Sequence, residues 1–560
     1  MFLTSKKSAI LAAATFAVAT GAMAADGYIS GDFHQHSTHS DGGVLLATTN
    51  SYNNAFGLDW WANSEHGGQT GSGVTQEYRW QDIGGYDHLK SGVTVNTYKG
   101  MVNSWQETLN ARGLYTNKTV IQGLEFNTPG HEHTSTGIIT NQFSAGASAA
   151  LMAEFEYRFD KNDGDTSSPN GWTGKSTVND HAKSVAAVQF MATNAPNQSW
   201  FVPAHPERAN SYKISDFRDF HNVAGGATFG NANQAKVAVG FESMSGHQKA
   251  SGRGGYSTNA GTGTNQPLAA GQGGSFGGTG VYAAQVGGWW DALNAEGRIF
   301  PLVASSDFHA DGDDFRPGEY QKTYTHVADT SAANSGAAAQ NIVNGLASGN
   351  SWIVQGDLID SLTFTAGGAM MGSRGTTDAN GKTTVSIKLH DSQLDNPNNT
   401  YSDLKNPALN HIDLIAGHIT GMVSPFLADG VTANPAYNLA NSDASVIARF
   451  DAAGGVTDSN GLTSVAWTIL GDGWCEMSLQ VDADSAMFFR LRGTNQGLGV
   501  LNETDGAGNP LADSLMGTNN AAKALDDLWF YSNPVAVPEP TALGIIGIAA
   551  ALGLRRRRMA

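Results

Sequence analysis

The run Gly31-Asp32-Phe33-His34-Gln35-His36-Ser37-Thr38-His39-Ser40-Asp41-Gly42 places two histidines two residues apart, with an aspartate five beyond the second. If the run ends a β-strand, His34 and His36 share a face, because side chains alternate with period two. Imidazole suits zinc, manganese and iron, and the Asp41 carboxylate brings charge to hold a second cation. One His-x-His pair is a weak signal, so the other histidines and carboxylates decide its meaning. The apolar stretch 57–63 leads to Glu65 and His66, 119–124 to Glu125, and 200–204 to His205. Stretch 236–241 leads to Glu242, and 299–304 to Asp307 and His309. The segment Gly130-His131-Glu132-His133 adds two more ligand-competent rings, His131 and His133.

Each of those stretches reads as an apolar strand whose end turns polar. Helical periodicity fits between several of them, as at 178–192 and 283–293. Strands alternating with helices predict a parallel sheet, and functional residues at the strands' C-terminal ends predict a barrel. Residues 246–288 are glycine-rich without a strand-to-helix Gly-x-Gly context, which fits an active-site loop region better than a phosphate cradle. After about residue 358, stretches such as 383–389, 411–415 and 486–491 alternate apolar and polar residues between Asn, Asp and Gly. That pattern predicts antiparallel strands in a sandwich. The expected division is a barrel over 27–358 and a β-rich domain over 359–535.

Both ends read as addresses. Residues 1–24 carry Lys6 and Lys7, an apolar run, and Ala22-Met23-Ala24, which is the layout of a secretory signal peptide. Residues 537–560 carry Val537-Pro538-Glu539-Pro540, an apolar stretch and Arg555 to Arg558. The stretch is about fourteen residues long, short of the roughly twenty that cross a bilayer comfortably. Net charge is −18 in 560 residues, which excludes strong attraction to nucleic acid. Cys475 is the only cysteine, so neither an intrachain disulfide nor a Cys-type zinc site is available, and it reads as a small buried hydrophobe. The pairs Trp60-Trp61 and Trp289-Trp290 abut apolar runs, which predicts core packing over sugar stacking.

The motifs His34-Gln35-His36 with Ser40-Asp41-Gly42, Ser64-Glu65-His66, Gly123-Leu124-Glu125, Ala204-His205-Pro206 and Ser306-Asp307-Phe308-His309 together resemble the PHP (polymerase and histidinol phosphatase) superfamily. The resemblance covers roughly residues 28–358. It implies an α/β fold, a distorted (β/α)7 TIM-like barrel, holding two or three divalent cations (Zn, Mn or Fe). By motif, one cation would take His34, His36, Glu125 and Asp307. A second would share Glu125 and add His205 with either His133 or His131. A third would take Asp41, His66 and His309. Glu65, where relatives commonly carry Asp, is expected to orient His66 through a hydrogen bond. The C-terminal tail resembles the PEP-CTERM sorting signal, which implies a Gram-negative bacterium, an exosortase, and transient membrane association through the tail.

The implied chemistry is attack by a hydroxide bridging two cations on the phosphate ester of a small phosphorylated substrate. Arg208 could pair with phosphate or carboxylate, with a loop salt bridge as the plain alternative. His247 could protonate the leaving group, with loop hydrogen bonding as its plain alternative. The leading expectation is an exported phosphoesterase of the periplasm, cell surface or matrix. A metal-dependent hydrolase of a non-phosphate bond and a non-catalytic surface scaffold stand beside it.

Overall fold

The computed structural model describes residues 25–68, 104–163, 171–208, 211–250, 253–256, 275–392, 408–513 and 521–539. The expected leader, residues 540–560 of the tail and residues 251–252 and 257–274 of the glycine-rich segment lie outside them. Among the described residues no helix is long and apolar enough to cross a membrane.

The architecture is mixed α/β with a β-rich C-terminal half. Strands β1 (Gly27–Asp32), β2 (Trp60–Asn63) and β3 (Thr119–Asn127) pair in parallel. A helix precedes β2 (Leu46–Ala55) and another precedes β3 (Ser104–Leu114), so each crossover has the length a parallel connection needs. The pattern then changes. Only five residues separate β3 from β4 (His133–Ile138), too few for a crossover, so the two form an antiparallel hairpin. Gly130, at φ +76°, turns the chain there. β5 (Ser199–Pro203) runs antiparallel to β4 and parallel to β6 (Ala238–Val239). β7 (Phe241–Met244) pairs in parallel with Leu302–Ala304. The sheet is therefore not purely parallel, as the alternation of strands and helices suggests, because β4 enters as a hairpin.

Two expected elements are broken by glycine. The stretch 236–241 splits into β6 and β7 at Gly240, where a Cβ would sit 2.3 Å from the Pro301 carbonyl oxygen. The helix expected over 283–293 is two short ones, Val281–Ala284 and Trp289–Ala295, divided at Gly287 with φ +77°. The helix expected over 178–192 spans His181–Asn194, because Asp180 caps it by accepting from the Lys183 amide at 2.9 Å.

From β1 the sheet continues through Gln321–Val327, Ser351–Gln355, Trp529–Ser532, Met487–Thr494 and His411–His418, all antiparallel. Hydrogen bonding thus runs without a gap from β1 into the C-terminal half. There a second sheet, containing Ser361–Ala366, Lys382–His390 and Trp474–Asp482, buries one face against it. Leu362, Phe364, Val385, Ile387 and Leu389 pack with Leu414, Phe489, Leu491 and Phe530 in one apolar cluster. Cys475 belongs to that cluster and its thiol is buried. Around the strands of the first half, Phe33, Trp60, Trp200 and Ile342 form another core. Trp60, Trp61 and Trp290 are fully buried, and Trp289 stacks on Tyr282 at 4.0 Å, so neither tryptophan pair offers a sugar platform.

Candidate metal centre

The ligand-bearing ends of the strands are tied to one another by backbone. The Asp32 carboxylate accepts from the amides of His34 (2.9 Å) and Ser306 (3.1 Å). The amide of Asp307 donates to His34 O at 2.8 Å, and that of His36 to Phe308 O at 2.8 Å. The Glu125 amide donates to Ser64 O and Glu65 O. His34, His36, His66, Glu125 and Asp307 are thereby brought to one place. Asp307 (φ +43°), His205 (φ +31°) and His247 (φ +56°) hold left-handed backbone without being glycine, which costs about 1–3 kcal/mol each and concentrates at functional sites.

Four side chains form the tightest group. His34 Nε2 lies 3.1 Å from His36 Nε2, 3.1 Å from Glu125 Oε1 and 3.1 Å from Asp307 Oδ1. His36 Nε2 lies 3.0 Å from Glu125 Oε2 and 3.2 Å from Asp307 Oδ1. A tetrahedral cation with bonds of about 2.0–2.1 Å places its ligands roughly 3.3 Å apart, close to these separations. Glu125 Oε2 and Asp307 Oδ1 are buried without a hydrogen bond of proper geometry, although nitrogens stand close by. Donor atoms converging at this spacing, two of them carboxylate oxygens left without such a bond, suit a cation. The other nitrogens are held as ligating histidines require: His36 Nδ1 by Ser40 Oγ at 3.0 Å, and His34 Nδ1 by Glu242 Oε2 at 3.2 Å.

Two further groups adjoin this one. His133 Nδ1 lies 2.8 Å from Glu125 Oε1, and His66 Nδ1 lies 3.0 Å from Glu125 Oε2. His205 Nε2 is 3.5 Å from Glu125 Oε1 and 2.7 Å from Arg208 Nη2. Asp41 lies 3.3 Å from His66 Nε2 and 3.4 Å from His309 Nε2. Glu125 thus touches most of the assembly.

Charge in the site is divided. Burial opposes protonation of His34 and His66, but the surrounding carboxylates outweigh it and hold both imidazoles well above their usual range. For His36 the same contest, won by Asp307, Glu125 and Asp41, leaves the ring up at about 9. Burial pushes the Glu125 and Asp307 carboxyls up, but the histidines around them bring both well below the usual range. His133 is lowered by burial, and His205 by burial and the Arg208 guanidinium, so these two rings are neutral lone-pair donors. A nest of anionic carboxylates and displaceable imidazole protons fits divalent cations.

His247 reaches the rim, with Nε2 3.1 Å from Asp307 Oδ2 and Nδ1 2.9 Å from Asp314 Oδ1. Burial opposes its charge, but Asp307 and Asp314 hold the ring up at about 10. The partly exposed Arg208 donates to His205 Nε2 at 2.7 Å and lies 3.5 Å from Glu132. The structure separates the two rings that the 130–133 segment offers for one role, and it differs from the sequence reading at Glu65. His131 does not reach Glu125; its Nε2 lies 2.9 Å from His181 Nδ1, because the turn at Gly130 swings it to the far side of the segment, and His133 takes the place beside Glu125. Glu65 does not orient His66; it accepts from the Ser37 amide (3.1 Å) and from the Ser37 and Ser40 hydroxyls, bracing the loop that carries His36 and Asp41.

Sequence reasoning passed over Glu242 as a partner of His34, and Asp314 and His181 altogether. Glu242 ends an apolar stretch, as Glu125 does, and that was its available signal. Asp314 sits in an irregular loop and His181 opens a helix, where no strand periodicity points to either.

No family model matches the chain, and no curated protein does. Among solved structures, a two-domain protein from Bacteroides vulgatus containing a predicted PHP-like metal-dependent phosphoesterase superposes with a TM-score of 0.32 at 13% identity, over 81% of this chain and 96% of that one.

Proposed function

We propose that the chain is an exported metal-dependent phosphoesterase that hydrolyses small phosphate esters. The observation that carries this is the convergence of His34 Nε2, His36 Nε2, Glu125 and Asp307 Oδ1 at 3.0–3.2 Å, with the Asp41–His66–His309 and Glu125–His133 groups beside it. Two or three cations of zinc, manganese or iron fit these donors. In such a nest divalent cations supply activation of water and neutralisation of charge on phosphoryl oxygens. The motif resemblance to PHP proteins supports the same reading, including a distorted (β/α)7 barrel as the parent of the first half.

The chain's own residues divide the remaining work. His34, His36, Glu125 and Asp307 fix the donor geometry, and Glu242 and Ser40 fix the ring orientations of His34 and His36. Arg208 presents a partly exposed guanidinium beside His205, suited to a bidentate grip on a phosphate once it leaves that ring. His247, held protonated by Asp307 and Asp314, is the residue we assign to give a proton to the leaving-group oxygen. Export rests on the composition of residues 1–24, and handling by an exosortase on the tail of residues 537–560.

The test is phosphate release by the full-length chain from a panel of phosphomonoesters after loading with manganese or zinc, against His34→Ala/His36→Ala. Release lost in the double variant supports the proposal. Bound metal with no release from any ester moves the reading to hydrolysis of a non-phosphate bond.

A further inference from the structure

Away from the centre, His131, His181 and Asp216 bring one ligand atom each to within 4.8 Å of the others. The tautomers there are set from outside. His131 Nδ1 lies 2.7 Å from Ser211 O, and a carbonyl only accepts, so Nδ1 carries the proton and Nε2 its lone pair. His181 Nε2 lies 3.2 Å from Asp219 Oδ2, and Asp219 is itself held by the Tyr437 hydroxyl at 2.7 Å. The carboxylate accepts a hydrogen bond from His181 Nε2–H, so in the neutral ring the lone pair lies on Nδ1. The two lone pairs therefore face each other at 2.9 Å, with Asp216 Oδ1 3.6 Å from His181 Nδ1. Neutral rings so arranged repel unless an extra proton or a cation joins them. Histidines whose far nitrogens donate to a carbonyl and to a carboxylate are the usual setting of a bound metal. Two carboxylates, Asp216 and Asp219, stand beside the rings, and the Lys161 ammonium donates to His131 O.

We propose that His131 Nε2, His181 Nδ1 and Asp216 Oδ1 form a separate binding site for a divalent transition metal of the zinc type, with Asp219 and Ser211 O orienting the two rings. The site joins the start of helix His181–Asn194, the first turn of helix Ile214–Val223 and the turn just before His133. A cation there pins the segment that delivers His133 to Glu125. Its role is structural, and it takes no part in the proposed hydrolysis.

The experiment uses the full-length chain loaded with zinc and dialysed, with zinc measured by elemental analysis and affinity by chelator competition. His181→Gln is made both in the wild-type background and in His34→Ala/His36→Ala. His181 is 29% exposed, so the change is compatible with the packing. The account expects one equivalent fewer in each His181→Gln protein than in its parent. It also expects Asp219→Asn to bind that equivalent about 10–100-fold more weakly. Zinc content and competition profile unchanged by His181→Gln overturn the site and leave a proton shared between the two rings. If His181→Gln fails to fold, Asp219→Asn decides, and an unchanged affinity overturns the proposal. Failure of the main centre reads differently, since it shows as no difference in zinc between wild type and His34→Ala/His36→Ala.

Discussion

Glu125 and His133 meet at 2.8 Å as diagonal neighbours on one face of the β3–β4 hairpin, where Glu125 is opposite Ser135 and His133 opposite Asn127. The same carboxylate stands 3.0 Å from His36 and 3.0 Å from His66. One buried anion therefore links donors from three separate segments of the chain.

Glu125→Gln removes that link while keeping the shape. The expected result is loss of at least one metal equivalent and a fall of about 100-fold or more in phosphate release, the scale of losing a group that stabilises transition-state charge. Elemental analysis and a single-substrate assay check both together.

Metal binding should strengthen with pH. Imidazole protons on His34, His36 and His66 must leave before a cation can bind, and the surrounding carboxylates hold them on, for His36 up to about 9. The sign for the metal-free chain follows from the same shifts. A ring whose folded pKa is raised above the unfolded value of about 6.5 contributes stability that is full below that pH and is lost as pH rises through about 9. The increase in Tm on adding manganese or zinc is therefore expected to grow between pH 6.5 and 9. Melting curves at several pH values check this, and an increase that stays flat or shrinks contradicts it.

Glu65→Gln tests the bracing of the His36–Asp41 loop. Glu65 touches no metal-facing nitrogen, yet it anchors Ser37 and Ser40, and Ser40 Oγ holds His36 Nδ1. Metal affinity is expected to fall about tenfold, as for other partners that orient a ligand. Chelator competition at fixed pH measures it.

Much of the centre is legible because strand periodicity does the placing. His34, His36, Glu125, His205 and Asp307 sit at or just beyond apolar strands, and a strand's direction fixes where its end points. Legibility stops where the backbone leaves that rule. The turn at Gly130 breaks the alternation, so sequence alone does not choose between His131 and His133. Glu65 follows β2 in an irregular segment, where a one-residue difference decides between His66 and the Ser37 loop. The continuity of the large sheet is hidden for another reason. Ser351–Gln355 pairs with Trp529–Ser532 from far along the chain, and no local pattern announces that partner.

His247→Asn separates a proton donor from a binding residue. For esters with poor leaving groups, kcat is expected to fall about 100-fold or more, while esters of acidic phenols lose little, because they leave without a proton. Metal content should stay at the wild-type level. Comparing kcat across leaving-group acidity is the check, and an equal fall for all esters would falsify the assignment.

Arg490 and Asp291 join the two halves through a buried bidentate pair, 2.6 and 2.8 Å, with the Arg490 guanidinium carbon 4.8 Å from the centre of the Trp290 ring. Both side chains are fully buried. Arg490→Ala alone leaves the carboxylate uncompensated and is expected to cost about 3–5 kcal/mol. Arg490→Met with Asp291→Leu should cost much less, since neither charge is then stranded. Denaturant unfolding of the two variants against wild type measures the difference.

The central claim is that the histidines and carboxylates around Glu125 hold divalent cations. The most direct measurement is metal content of the full-length chain after loading with manganese or zinc and dialysis, beside His34→Ala/His36→Ala treated identically. The account predicts two or more equivalents retained by the wild type and fewer by the variant. A folded wild-type chain that retains none after loading, or as much as its variant does, would contradict it.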